Sequence, residues 1–185
     1  MTELRKLIEL CKQNDPKSQK ELYDRYCRQM YTICLRYCKN SGDAADVLQE
    51  GFIKVFDKIS QFRSEGDIGK WIRTTIVRTA LRAIKQRVEF VEICEETNES
   101  AAYEMQIDFD NYNYHRILKH LHTMPIGYQT VFNLYVFEEM THTEISRELN
   151  ISESSSRSQL FKARKALQNK IEKDAQLQNL VRLRT

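Results

Sequence analysis

Apolar residues recur at intervals of three and four through most of this chain, and the breaks between those runs mark out a series of helices. Leu4, Leu7, Ile8 and Cys11 form one stripe and predict a helix over residues 2–13. Asn14-Asp15-Pro16 closes it and starts a second, because proline suits the first helical position. Leu22, Tyr26, Met30, Ile33 and Tyr37 carry that second helix to about Lys39, and Ser41-Gly42 breaks it. A third helix is predicted over 43–59, with Ala45, Leu48, Phe52, Val55, Phe56 and Ile59 on its buried side. A loop with two glycines, 61–69, leads to a fourth over 70–87, with Ile72, Ile76, Thr79 and Ala83 facing inward. Helix resumes near Asn113 with Ile117, Leu118 and Leu121, and stops at Met124-Pro125. Pro125 then opens a helix containing Val131, Leu134, Tyr135 and Phe137.

The stretch 141–167 reads as helix, tight turn, helix. Thr141 followed by Glu144 makes a capping box. Ile145 and Leu149 share one face, Asn150 tolerates the left-handed backbone of a bend, and Ile151 plugs the corner. Ser152 caps the last helix, and Glu153 suits the positive end of its dipole. Leu160, Ala163, Leu167 and Ile171 form the buried stripe of that helix. The opposite face carries Ser154, Ser158, Phe161, Lys162 and Lys165, flanked by Arg157 and Arg164. Such a face fits a DNA major groove. Its cations neutralise phosphate, its serines and Arg157 reach base edges, and Phe161 meets a thymine methyl. A solvated face of a helical hairpin is the plainer alternative.

Net charge, +3 over 185 residues, adds little, but its distribution adds a good deal. Residues 63–87 hold seven bases (Arg63, Lys70, Arg73, Arg78, Arg82, Lys85, Arg87), and 152–173 hold six. Between them, 88–111 hold eight acids and no Lys or Arg. Two nucleic-acid surfaces joined by an acidic connector fit this layout. The connector contains Phe90, Val91, Ile93, Tyr103, Met105, Ile107 and Phe109, so it is a linker able to order on a partner, not a flexible tether. Few Gly and Pro predict an all-α chain. No signal-peptide pattern and no apolar run near about eighteen residues predict a protein neither secreted nor inserted in a membrane.

Candidate chemistry is of the binding kind. In the third helix Asp43, Asp46, Gln49, Glu50 and Asp57 form a polar side with Ile53 in its middle. That side is either a protein-docking face or a solvent face with one stray isoleucine. In the fourth, Lys70, Arg73, Thr74, Arg78, Arg82 and Lys85 share an outer arc, with Trp71 at its edge. Trp71 either lids the core or holds an unstacked base. The five cysteines (Cys11, Cys27, Cys34, Cys38, Cys94) are odd in number and contain no C-x-x-C pair. They read as small buried hydrophobes of a reduced protein, with a metal or redox site the lesser alternative. His115, His120 and His122 have no ligand spacing to them, so neither a metal nor a cofactor is expected.

Three stretches, in this order, resemble bacterial RNA polymerase sigma factors of the extracytoplasmic-function (ECF) group. DAADVLQEGFIKVF (43–56) is similar to the segment that docks on the polymerase clamp helices. FRSEGDIGKWIRTTIVRTAL (62–81) resembles the loop and helix that recognise and melt the minus-ten element. MPIGYQTVFNLYVFEEMTHTEISRELNISESSSRSQLFKARKAL (124–167) resembles the reader of the minus-thirty-five element. The resemblance spans residues 5–172 and implies a region 2 domain over 1–88 and an acidic linker over 89–112. It further implies a region 4 domain of four helices over 113–173, winged-helix-like without a wing, and a polar tail over 174–185.

By the same resemblance, Asp46, Gln49 and Glu50, with Ile53 among them, would bind core RNA polymerase. Arg63, Lys70, Trp71, Arg73, Thr74, Arg78 and Arg82 would hold the melted non-template minus-ten strand. Ser154, Ser155, Arg157, Ser158, Phe161, Lys162 and Lys165 would read the minus-thirty-five duplex. The family usually has Asn at Arg78 and often Asp or Asn at Arg82, so its minus-ten preference does not carry over. The implied role is a cytoplasmic initiation factor without a catalytic centre, open to control by an anti-sigma factor. The rival is a stand-alone helix-turn-helix regulator that binds duplex DNA without polymerase. A helical metalloenzyme is a distant third.

Overall fold

A computed structural model describes residues 3–63, 66–93 and 112–174. Among them are helices α1 (Glu3–Lys12), α2 (Pro16–Tyr37), α3 (Ser41–Lys58), a 3₁₀ turn (Ile59–Gln61) and α4 (Ile68–Ile93). Four more follow: α5 (Tyr112–His122), α6 (Ile126–Val136), α7 (His142–Leu149) and α8 (Glu153–Lys173). No strand occurs among the described residues. The chain divides into two compact units between residues 104 and 105.

In the first unit α2, α3 and α4 pack on one another, and α1 lies against α2 and the 3₁₀ turn. Asp15 caps α2, its carboxylate accepting from Ser18 N–H at 2.8 Å, with Pro16 at the first helical position. The core holds Leu22, Met30, Ile33 and Tyr37 of α2, Phe52 and Val55 of α3, and Ile72, Ile76 and Ala80 of α4. Gly51 of α3 lies against Ile76 of α4. A Cβ there would lie 2.4 Å from Ile76 Cδ1, so the missing side chain makes room for the neighbouring helix.

Several predicted boundaries and faces shift. The second helix ends at Tyr37, not Lys39. The third begins at Ser41, because the Asn40 side chain caps it by accepting from Asp43 N–H at 2.7 Å. Its buried face is centred on Ala44, Val47, Leu48, Gly51, Phe52 and Val55, while Ala45 and Phe56 lie at the margin. A helix wedged between two others buries a wider arc than a single stripe, and Gly51 is invisible to a search for apolar side chains. The predicted 61–69 loop is shorter, with Phe62 and Ile68 buried. Asp67 starts α4, its Oδ1 accepting from Gly69 N–H at 2.8 Å. Helix α4 continues six residues past Arg87 to Ile93, into the acid run. Nothing there breaks a helix, and Glu89 and Glu92 are good helix formers. Residues 94–111, with the rest of that run, and the tail from 175 lie outside the described residues.

In the second unit α6 and α8 form the main contact, and α7 packs on both. Leu118 and Leu121 of α5, Val131, Phe132 and Leu134 of α6, Ile145 of α7, and Leu160 and Ala163 of α8 make its core. Asp174, just past α8, reaches back to α5. It accepts from Arg116 Nε at 3.0 Å, pairs with a second Arg116 nitrogen, and lies 3.0 Å from His120 Nε2. Its side chain is only 6% exposed.

Candidate nucleic-acid interface

The turn between α7 and α8 is built by short-range chemistry. Thr141 and Glu144 form the capping box. Thr141 N–H donates to Glu144 Oε2 at 2.8 Å, and Glu144 N–H donates to Thr141 Oγ1 at 3.3 Å. The Thr141 N–H and then its hydroxyl hold the Glu144 carboxyl below its ordinary range. Asn150 takes the left-handed conformation (φ 52°, ψ 48°), and Ile151 N–H donates to Ser146 C=O at 3.0 Å. Ser152 caps α8, its hydroxyl accepting from Ser155 N–H at 3.1 Å. Ile145 is fully buried beneath the turn, and Ile151 is half-buried at the corner.

Two side-chain ties then fix α7 against the start of α8. Thr143 Oγ1 donates to Glu153 Oε1 at 2.7 Å, and His142 Nδ1 lies 2.9 Å from the hydroxyl of the fully buried Ser156. His142 also stacks on Tyr135, ring centroids 4.8 Å apart. Burial lowers the His142 pKa, Arg157 and Arg164 push the same way, and Glu153 partly opposes them. These ties were missed in the sequence. Glu153 also forms an ion pair with Arg157, four residues on along α8.

The outer face of α8 carries the expected groups. Ser154, Arg157, Ser158, Lys162 and Lys165 are exposed, and Phe161 is 67% exposed. Lys162 Nζ sits 5.9 Å from the centre of the Tyr128 ring, and Arg164 lies over Tyr135 at 5.4 Å. Ser155 stands apart from this set. It is half-buried, and its hydroxyl accepts from Gln159 Nε2 at 3.2 Å.

In the other unit, Lys70, Thr74, Arg78, Arg82 and Lys85 are exposed along α4, and Arg73 is half-buried. The Thr74 hydroxyl turns back to Lys70 C=O at 2.9 Å. Arg63 is exposed just before residues 64 and 65, which lie outside the described set. Trp71 is half-buried and tilted on the buried Phe62, with ring centroids 5.6 Å apart. It is therefore neither a sealed lid nor a free ring: Phe62 backs it and part of it stays open. On α3, Asp46, Gln49 and Glu50 are exposed, Ile53 is 61% exposed, and Glu50 pairs with Lys54.

The cysteines behave as packing. Cys11, Cys34 and Cys38 are buried and Cys27 half-buried. Desolvation pushes the Cys11 thiol up to about 11 and the Cys34 thiol up to about 12, so both are protonated at neutral pH. Cys94 lies outside the described residues. His120 is engaged with Asp174. Among the described residues, no group of three His, Cys, Asp or Glu could hold a metal, and no helix is long and apolar enough to cross a membrane.

Comparison with known proteins follows the same division. The family model for sigma-70 region 2 matches residues 22–89, and that for sigma-70 region 4 matches 114–167. The ECF RNA polymerase sigma-E factor of Haemophilus influenzae is 28% identical over 178 residues, covering 90% of this chain and 94% of its own. The RNA polymerase sigma factor SigV of Bacillus subtilis is 24% identical over 144 residues, covering 78% and 85%. The sigma factor RpoE of Bartonella quintana, solved in complex with the anti-sigma factor NepR, matches with a TM-score of 0.61 at 13% identity, over 84% of this chain and 97% of that one. CnrH, solved with the cytosolic domain of CnrY, gives 0.54 at 16% identity, over 92% and 98%. At these identities the structural likeness is one of fold.

Proposed function

The chain belongs to the extracytoplasmic-function group of sigma factors, which bind core RNA polymerase and direct it to promoters, and we propose that three of its surfaces divide that work. The observation that carries the proposal is the separation of charge. An acidic face with an exposed isoleucine lies on α3, a basic arc on α4, and a second basic face on α8 of a capped helix-turn-helix.

An acidic face repels DNA, so Asp46, Gln49, Glu50 and Ile53 dock polymerase. Ile53 supplies apolar area, and the carboxylates set the register. Arg63, Lys70, Trp71, Arg73, Thr74, Arg78 and Arg82 hold the opened minus-ten strand, and contacts there offset the few kcal/mol or so of stacking lost when a base leaves the duplex. Ser154, Arg157, Ser158, Phe161, Lys162 and Lys165 read the upstream duplex, with Ser155 at the edge of that set. Residues 1–88 and 113–173 act as the two domains. The acid-rich connector, 89–112, suits a basic channel of the polymerase. The chain works in the cytoplasm and leaves phosphoryl transfer to the polymerase. It takes an anti-sigma partner, as the Bartonella relative does. A stand-alone regulator is disfavoured, because it gives the region 2 match and the α3 face no task.

Run-off transcription on a genomic promoter pool, with and without the chain, tests this. New start sites are expected, and none would remove the reading. Glu50→Lys should abolish co-purification of core polymerase. Wild-type recovery would show that α3 is not the docking face.

A further inference from the structure

Glu153 sits at the first position of α8, at the N-terminal edge of the proposed DNA-reading surface and one turn before Arg157. A carboxylate there is favoured by the helix dipole but repelled by every phosphate that the neighbouring cations attract. Both of its oxygens are engaged. Oε1 accepts from Thr143 Oγ1 on α7 at 2.7 Å, and Oε2 accepts from the Arg157 guanidinium on α8. Those two contacts, Thr143 first, hold the Glu153 carboxyl below its ordinary range, so it is charged at neutral pH. Because one oxygen is tied to a different helix, Glu153 does not follow Arg157 if that side chain swings away.

The pair is too exposed to matter much for stability, since Arg157 and Glu153 are 58% and 40% exposed. Its weight lies in what Arg157 can do. A guanidinium has several N–H donors, and Glu153 engages one of its nitrogens, which leaves others for a guanine edge. A phosphate anywhere along a duplex competes directly with Glu153. Taking it strands an anchored carboxylate beside the DNA backbone.

We propose that Glu153 is a specificity-determining positioning residue: anchored by Thr143, it makes capture of Arg157 by phosphate at non-cognate DNA unfavourable, while leaving the remaining guanidinium donors to a base edge. This rests on the reading of α8 as the upstream DNA reader.

The test uses polymerase holoenzyme carrying the full chain. It is titrated against a promoter duplex mapped by the run-off assay, and against the same duplex with its upstream element scrambled, across a range of salt. Glu153→Gln keeps an acceptor for Thr143 and removes the charge. It should leave promoter binding within about twofold, tighten scrambled-duplex binding about three- to tenfold, and steepen the log–log salt slope on scrambled DNA by about one phosphate contact. In an Arg157→Ala background these effects should vanish. If they persist there, Glu153 acts only as a general repulsive charge. If Glu153→Gln instead weakens the promoter complex alone, it reads a base itself, as a carboxylate can at cytosine N4. If it changes neither duplex, the pair is an inert surface contact. Each of these three results overturns the proposal. Arg157→Ala alone should weaken promoter binding about five- to a hundredfold. No loss there would sink the reading of α8, a failure distinct from that of Glu153.

Discussion

Helices α4 and α8 both turn a row of cations outward, but they are held by different means. Helix α4 is seated by burial: Ile68, Ile72, Ile76, Val77, Thr79 and Ala80 are all inside, and Gly51 lets α3 close on it. Helix α8 buries only Ser156, Leu160 and Ala163, and its first turns are tied to α7 by Thr143–Glu153 and His142–Ser156. The sequence carries the same contrast. No acid occurs in α4 between Ile68 and Arg87, whereas α8 opens on Glu153. A surface seated by packing keeps its direction whatever its polar groups do. One oriented by hydrogen bonds is aimed more finely and depends on them.

The contrast can be broken first at the cores. Ile145→Ala removes the fully buried anchor under the turn and should cost the C-terminal unit about 2–5 kcal/mol. Trp71 is the one tryptophan in the chain, so its fluorescence reports the N-terminal unit, while far-UV circular dichroism reports both. In urea, the dichroism should show an early transition while Trp71 keeps its midpoint. A matching shift of Trp71 would mean the two units unfold as one. Gly51→Val should do the converse, lowering the Trp71 midpoint by about 1–3 kcal/mol of overpacking against Ile76. A smaller effect tests the polar side. Thr141→Ala removes the capping box and should cost about 0.5–2 kcal/mol, confined to the C-terminal unit. The smallest effect is one of pH. The folded His142 pKa lies below its ordinary 6.5, so its contribution is present above pH 6.5 and is lost as pH falls from there through the folded value. Mild acid, still above the carboxylate range, should therefore soften the C-terminal transition only. His142→Gln should remove that sensitivity, and an unchanged acid response in this variant would place the titrating group elsewhere.

What could be read from the sequence was local. The Asp15-Pro16 start, the Thr141–Glu144 box, the Asn150 bend and the Ser152 cap each need only a few neighbouring residues, and each formed. The exposed Ile53 and Phe161 followed from helical spacing alone. What escaped depends on how helices meet. The rotation of α3 about Gly51 depends on α4, and the Thr143–Glu153 and His142–Ser156 ties depend on how α7 meets α8. The Arg116–Asp174 pair spans 58 residues. Trp71 lay between two readings because periodicity placed it on an edge, and only Phe62 shows how it is backed.

The Asp174 contact has a mechanical consequence. Arg116 lies near the beginning of α5 and Asp174 directly after α8, so one carboxylate clasps the start of the first helix of the C-terminal unit to the end of its last. Strain between the start of α5 and the end of α8 is therefore borne by this clasp and bypasses the turn that aims α8.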